Sequence, residues 1–130
     1  GIGVDGDSVG LIICKSAIDG TALTTLPVDV GGSGDVGDGI VWMEGSQAEL
    51  EEVTVSNSAR ASVLIDGEVG SGSTLKDITL AAGDAQKAIL QQNLPAGGAT
   101  PQSQGGVPAI QTTSDQPYAV AIPPLVPATP

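Results

Sequence analysis

The chain has 130 residues, a formal net charge of −11, and Lys15, Arg60, Lys76 and Lys87 as its only cations. That field repels phosphate backbones and anionic lipid, so the sequence predicts no nucleic-acid partner and no membrane insertion, and no apolar run is long enough to span a bilayer. Without Phe, and with one Trp and one Tyr, the 40% of hydrophobic residues are mostly Val, Ile, Leu and Ala, which suit thin aliphatic layers.

In chain order, Ile2-Gly3-Val4-Asp5-Gly6 sets a pattern of apolar, variable, apolar, acid and glycine. It returns as Val41-Trp42-Met43-Glu44-Gly45 and Val63-Leu64-Ile65-Asp66-Gly67. The opening glycines also match a dinucleotide G-x-G-x-x-G, but no strand precedes them and no helix start follows, so they read as strand and turn glycines. Val9-Gly10-Leu11-Ile12-Ile13 starts a second strand pattern, repeated more clearly at Leu50-Glu51-Glu52-Val53-Thr54-Val55 and Leu75-Lys76-Asp77-Ile78-Thr79-Leu80. The lone Cys14 follows that apolar run and is expected to be buried.

Two short strands recurring in fixed order about every 22–25 residues indicate a solenoid, whose repeats bury their apolar faces against neighbours. The expected coils cover about 1–20, 38–60 and 61–85, with an incomplete fourth to 94 and a Gly/Asp-rich insertion at 21–38. The helix-forming stretch 46–52 runs into Val53-Thr54-Val55, and its alternation is the strand period. Ala88-Ile89-Leu90-Gln91-Gln92 aligns with the five-residue pattern after it has lost its acid and glycine. Residues 95–130 hold most of the prolines and show no strand or helix period, which predicts an extended tail. Tyr118, Val120, Ile122, Leu125 and Val126 make that tail too apolar to remain solvated, so it is expected to lie on an apolar surface.

The openings Gly1-Ile2-Gly3-Val4-Asp5-Gly6 and Gly39-Ile40-Val41-Trp42, followed by the run from Leu50 to Asn57, resemble the right-handed parallel β-helix proteins of the pectate-lyase-like superfamily. The resemblance covers about residues 1–94 and implies an all-β, right-handed parallel β-helix of about three to four coils, expected as the C-terminal portion of a longer one. The missing initiator Met fits a processed or excised product. The group contains lyases, hydrolases, adhesins and inert surface modules, which implies an extracellular or cell-surface location. The only arginine, Arg60, falls in a turn with no acid pair at matching positions, so no lyase site is carried over.

Alternation within the repeats predicts that Val4, Val41, Met43, Val53, Val55, Val63, Ile65, Ile78 and Leu80 point inward. It leaves Gly3, Trp42, Leu64 and Ile89 as an outer apolar file. Trp42, Glu44 and Leu64 are then the candidate ligand-binding residues, with Trp42 stacking on a sugar ring. Asp5, Glu44 and Asp66 would stack about 4.8 Å apart. Together with Asp35 and Asp38 of the Gly/Asp loop, they are the candidate metal ligands, and calcium is the cation they would admit, though no cofactor is required. Without His, no Ser–His or Cys–His pair exists, so the reading leans away from an enzyme. The expected function is a non-catalytic structural or adhesive module, with other chains or missing coils stacked on its N-terminal end and glycans as possible ligands. The alternatives are a fragment of a polysaccharide-binding or polysaccharide-degrading enzyme and a subunit of a fibre or coat.

Overall fold

The computed structural model describes residues 2–4, 10–19, 24–26, 34–36, 38–58, 60–80, 87–118 and 120. These are all-β, with no helix among them. The strands, in chain order, are β1 (Ile2–Val4), β2 (Gly10–Cys14), β3 (Ala17–Asp19), β4 (Thr24–Leu26), β5 (Gly34–Val36), β6 (Ile40–Trp42) and β7 (Gln47–Glu51). They continue with β8 (Thr54–Ser56), β9 (Ala61–Asp66), β10 (Thr74–Lys76), β11 (Thr79–Leu80), β12 (Lys87–Gln92), β13 (Gln102–Gln104) and β14 (Ile110–Thr112).

Three parallel sheets carry the fold. The first has the order β1-β6-β9-β12-β14, the second β13-β10-β7-β2 and the third β11-β8-β3. The chain therefore visits the first, second and third sheets in turn and then repeats the circuit, an arrangement consistent with a β-solenoid. The insertion at 21–38 contains β4 and β5, which pair antiparallel. Asp35 thus lies on a strand rather than in a structureless loop.

One core joins the three sheets. Ile40, Trp42, Val63, Ile65 and Ile89 come from the first, Ala48, Leu50 and Leu75 from the second, and Val55 from the third. Val53 and Ile78 fill the corner between the second and third sheets, while Leu11, Ile13, Ile18 and Leu80 pack at the margins. The second repeated pattern sits in the predicted register, with Leu75 beside Leu50 and Thr79 beside Thr54. In its looser first copy, Ile13 is the residue level with Leu50. Leu11 and Ile13 then pack on the core, whereas Cys14 is exposed and Ile12 is 64% exposed. The run Leu11-Ile12-Ile13-Cys14 is apolar on both faces, so alternation, not hydrophobicity, decides which residues are buried.

The first sheet corrects the outer file. Ile40 pairs with Val63 and Trp42 with Ile65, one residue away from the alignment of the acid–glycine pairs. Ile40 and Trp42 consequently face the core, both fully buried, whereas Val41 and Met43 are only partly buried. Trp42 Nε1 donates to the Ser46 carbonyl at 2.8 Å, so the indole buries its ring without losing a hydrogen bond. On β12, Ile89 pairs with Val63 and Leu90 with Leu64. Ile89 is therefore in the core, and the outward positions are Val41, Leu64 and Leu90. The side chain of Val4 lies outside the described residues.

The corner between the second and third sheets is a file of left-handed residues: Lys15, Glu52 and Asp77, with φ of 49°, 52° and 50°. Each amide donates to the carbonyl at the end of the neighbouring strand: Lys15 to Glu51, Glu52 to Lys76 and Asp77 to Gln104, at 3.0–3.2 Å. Gly105, with φ of 67°, follows β13 at the equivalent place. The left-handed region strains residues with a Cβ by about 1–2 kcal/mol each. The closed backbone ladder offsets that strain.

The strand pattern continues past residue 94. β13 pairs with β10 and β14 with β12, both parallel. Pro101 stands just before β13 and Pro108 two residues before β14, so neither proline occupies a position that must donate to the ladder. The files also turn polar here: Gln91 succeeds Ile65, and Ser103 and Thr112, both exposed, stand beside Leu75 and Gln91. Gln91 is fully buried, and its Nε2 donates to the carbonyls of Gly67 and Ala99, both at 2.9 Å.

Candidate functional site

The outer face of the first sheet carries a covered groove. Ala61, Leu64 and Leu90 are at most 4% exposed there, and Tyr118 and Val120 pack against them. The expectation that the Pro-rich segment covers an apolar file thus meets the structure at Leu64, but the second leucine is Leu90, and neither Trp42 nor Ile89 takes part. Ile122, Leu125 and Val126 lie outside the described residues.

Two polar devices hold the segment. The first is Gln92, a fully buried side chain at the end of β12. Its Nε2 donates to the Tyr118 carbonyl at 2.8 Å, and its Oε1 accepts the Tyr118 N–H at 3.1 Å. The amide thereby serves the backbone of Tyr118 as a neighbouring strand would. Asp66 steadies it, because Oδ1 accepts from Gln92 Nε2 at 2.8 Å and from Asn93 Nδ2 at 2.7 Å.

The second device is Arg60, whose guanidinium carbon lies 4.7 Å from the Tyr118 ring centroid, within cation–π range. Asp38 fixes that guanidinium. Nε donates to Oδ1 at 3.0 Å, a second guanidinium nitrogen donates to Oδ2, and the Ala61 N–H also reaches Oδ1 at 3.0 Å. The two side chains are 5% and 1% exposed. Close packing sets this pairing up at Gly39, where an added Cβ would come within 2.5 Å of Val55 Cγ1 and 2.7 Å of the Ser62 carbonyl oxygen.

Among the described residues, the predicted metal ligands Asp38, Glu44 and Asp66 do not converge. Asp38 is committed to Arg60, and Asp66 to Gln92 and Asn93. Glu44 is level with Gly67, not Asp66, since a Cβ on Gly67 would lie 2.8 Å from that of Glu44. Among the described residues, no three of His, Cys, Asp and Glu come together to hold a metal. Asp5 and the Asp35 side chain lie outside those residues. Of the candidate ligand-binding residues, Trp42 is in the core, Leu64 is in the covered groove and Glu44 is exposed.

Elsewhere, Lys76 and Glu51 form a half-exposed pair at 2.9 Å on the second sheet. The hydrogen bond to Glu51, and then the charge of that carboxylate, raise the lysine pKa above its ordinary value.

The residues that sequence reasoning missed are Asp38 as the partner of Arg60, and Gln92 as a clamp. The signal for Gln92 was present: two adjacent amides, Gln91-Gln92, end a strand, and Gln92 stands level with the acid Asp66. No protein-family model, curated protein or solved structure matches this chain.

Proposed function

We propose that the chain is a non-catalytic module of a secreted or cell-surface protein, structural or adhesive, built as a right-handed parallel β-helix and assembling with other chains. One observation carries this reading. The side chains best equipped for chemistry on the first sheet, Asp38, Arg60, Asp66 and Gln92, are joined to one another and to Tyr118 as structural ties. A catalytic or sugar-binding site leaves such groups directed at a cleft, where a ligand can meet them. With Trp42 buried, the enzyme-fragment reading loses its stacking platform.

The test is incubation of the folded protein with a panel of neutral and acidic polysaccharides, assayed for new reducing ends and unsaturated products. The module reading expects no more product than a heat-unfolded control gives. Turnover by the folded protein alone overturns it.

A second reading, a subunit of a fibre or coat, has one observation in its favour. Among the described strands, β1, β2 and β3 are each the last of their sheet on the same side. Unpaired edges there would accept further strands. Sedimentation velocity over a wide concentration range tests it: open-ended growth supports the fibre, and a single species at every concentration removes it.

A further inference from the structure

We infer that the groove on the outer face of the first sheet is a receptor for a short peptide segment, and that it takes Tyr118 and Val120 from a second copy of this chain as well as from its own. Three features define what it recognises. The Gln92 amide donates to one backbone carbonyl and accepts from the N–H of the same residue, contacts that recognise a main chain irrespective of side chain. Arg60, pinned by Asp38, selects an aromatic ring at that position. Ala61, Leu64 and Leu90 accept an aliphatic side chain two residues later. The matching ligand is an aromatic–x–aliphatic segment, as in the sequence Tyr118-Ala119-Val120.

The segment reaches the groove over a short exposed connection. Asn93 N–H donates to the Asp115 carbonyl at 2.9 Å, and Leu94 N–H to that of Thr113 at 3.1 Å, so the chain is fixed up to 115. Gln116 and Pro117 are exposed between that anchor and Tyr118. Redirecting the chain at these two residues would deliver an identical segment to an identical groove on a neighbour, the exchange that underlies domain swapping. With −11 on each copy, like-charge repulsion opposes the exchange at low salt, so added salt should favour it.

The test uses the full chain with Tyr118→Pro and Val120→Ala, which removes the ring, the main-chain N–H that Gln92 accepts and the aliphatic anchor of its own segment, and so opens the groove. The probe is a fluorescent synthetic peptide of sequence 113–122. Saturable binding is expected, at least about tenfold weaker for the peptide carrying Tyr118→Ala. Mixed with wild type, the same variant should give a mixed dimer that increases with salt. If the variant retains its far-UV spectrum and binds no peptide, the receptor is refuted. If it binds peptide but forms no mixed dimer at any salt concentration, exchange with a second copy is refuted. If the variant does not fold, the wild-type protein decides. Millimolar peptide, about the effective concentration of a tethered segment, should then speed hydrogen exchange at the Tyr118 amide, and unchanged protection refutes the proposal.

Discussion

Removing the Arg60 guanidinium should cost far more than removing a surface charge. Arg60→Met keeps most of the aliphatic stem but leaves the Asp38 carboxylate, 1% exposed, with the Ala61 N–H as its remaining described bond. Stranding one partner of a buried pair costs about 3–5 kcal/mol, whereas an exposed pair is worth about 0–1 kcal/mol. A domain of ordinary stability has only about 5–15 kcal/mol in total. Loss of the contact with Tyr118 should add about 0.5–2 kcal/mol. Urea unfolding followed by circular dichroism measures the loss, provided the denaturant slope is unchanged. Adding Asp38→Asn removes the stranded charge and should recover at least about 2 kcal/mol, which makes the cycle diagnostic. An Arg60→Met variant within about 0.5 kcal/mol of the parent, or a double variant no more stable than Arg60→Met, would refute the reasoning.

Three further substitutions probe other parts of the fold. Glu52→Gly should leave stability unchanged or slightly raised, whereas Glu52→Val should lower it by about 1–2 kcal/mol, because φ is 52° there and a β-branched side chain tolerates that region poorly; thermal melts of the two variants decide it. Gly39→Ala should lose about 1–3 kcal/mol in the same urea assay, because its methyl would meet Val55 and the Ser62 backbone at 2.5–2.7 Å. Lys76 should titrate above an ordinary lysine by NMR and return toward it in Glu51→Gln. Since its folded pKa is raised, the stabilisation it gives is complete below the unfolded lysine value and is lost as pH rises through the folded one.

The sequence announced the repeats but not every register. The Leu50 and Leu75 patterns share both spacing and corner, so they could be aligned directly. At β6 two alignments competed. Matching Glu44-Gly45 to Asp66-Gly67 put Trp42 outside, and matching Gly39-Ile40-Val41-Trp42 to Gly1-Ile2-Gly3-Val4 put it level with Val4. The second is the observed register. Gly45 and Gly67 are both left-handed turn glycines, but the Gly45 amide bonds to Glu68 and that of Gly67 to Gln92, so the turn signal falls one residue later after β6. A corner can absorb a residue without disturbing the strands, and the strand residues Ile40, Val41 and Trp42 are all apolar, which hid the shift. The Asp38–Arg60–Tyr118 constellation was less legible still. Its members are brought together by the stacking of β9 on β6 and by the return of the chain across the sheet, so no local spacing marks them.

The register at Trp42 underlies the core, the outward leucines and the groove, and Trp42 is the only tryptophan. Its fluorescence is therefore the most direct measurement. With the ring fully buried, emission from the folded protein should be blue-shifted and protected from acrylamide, and both properties should vanish together on unfolding. Emission and quenching close to those of free tryptophan in the folded protein would place Trp42 on the outer file and contradict the account.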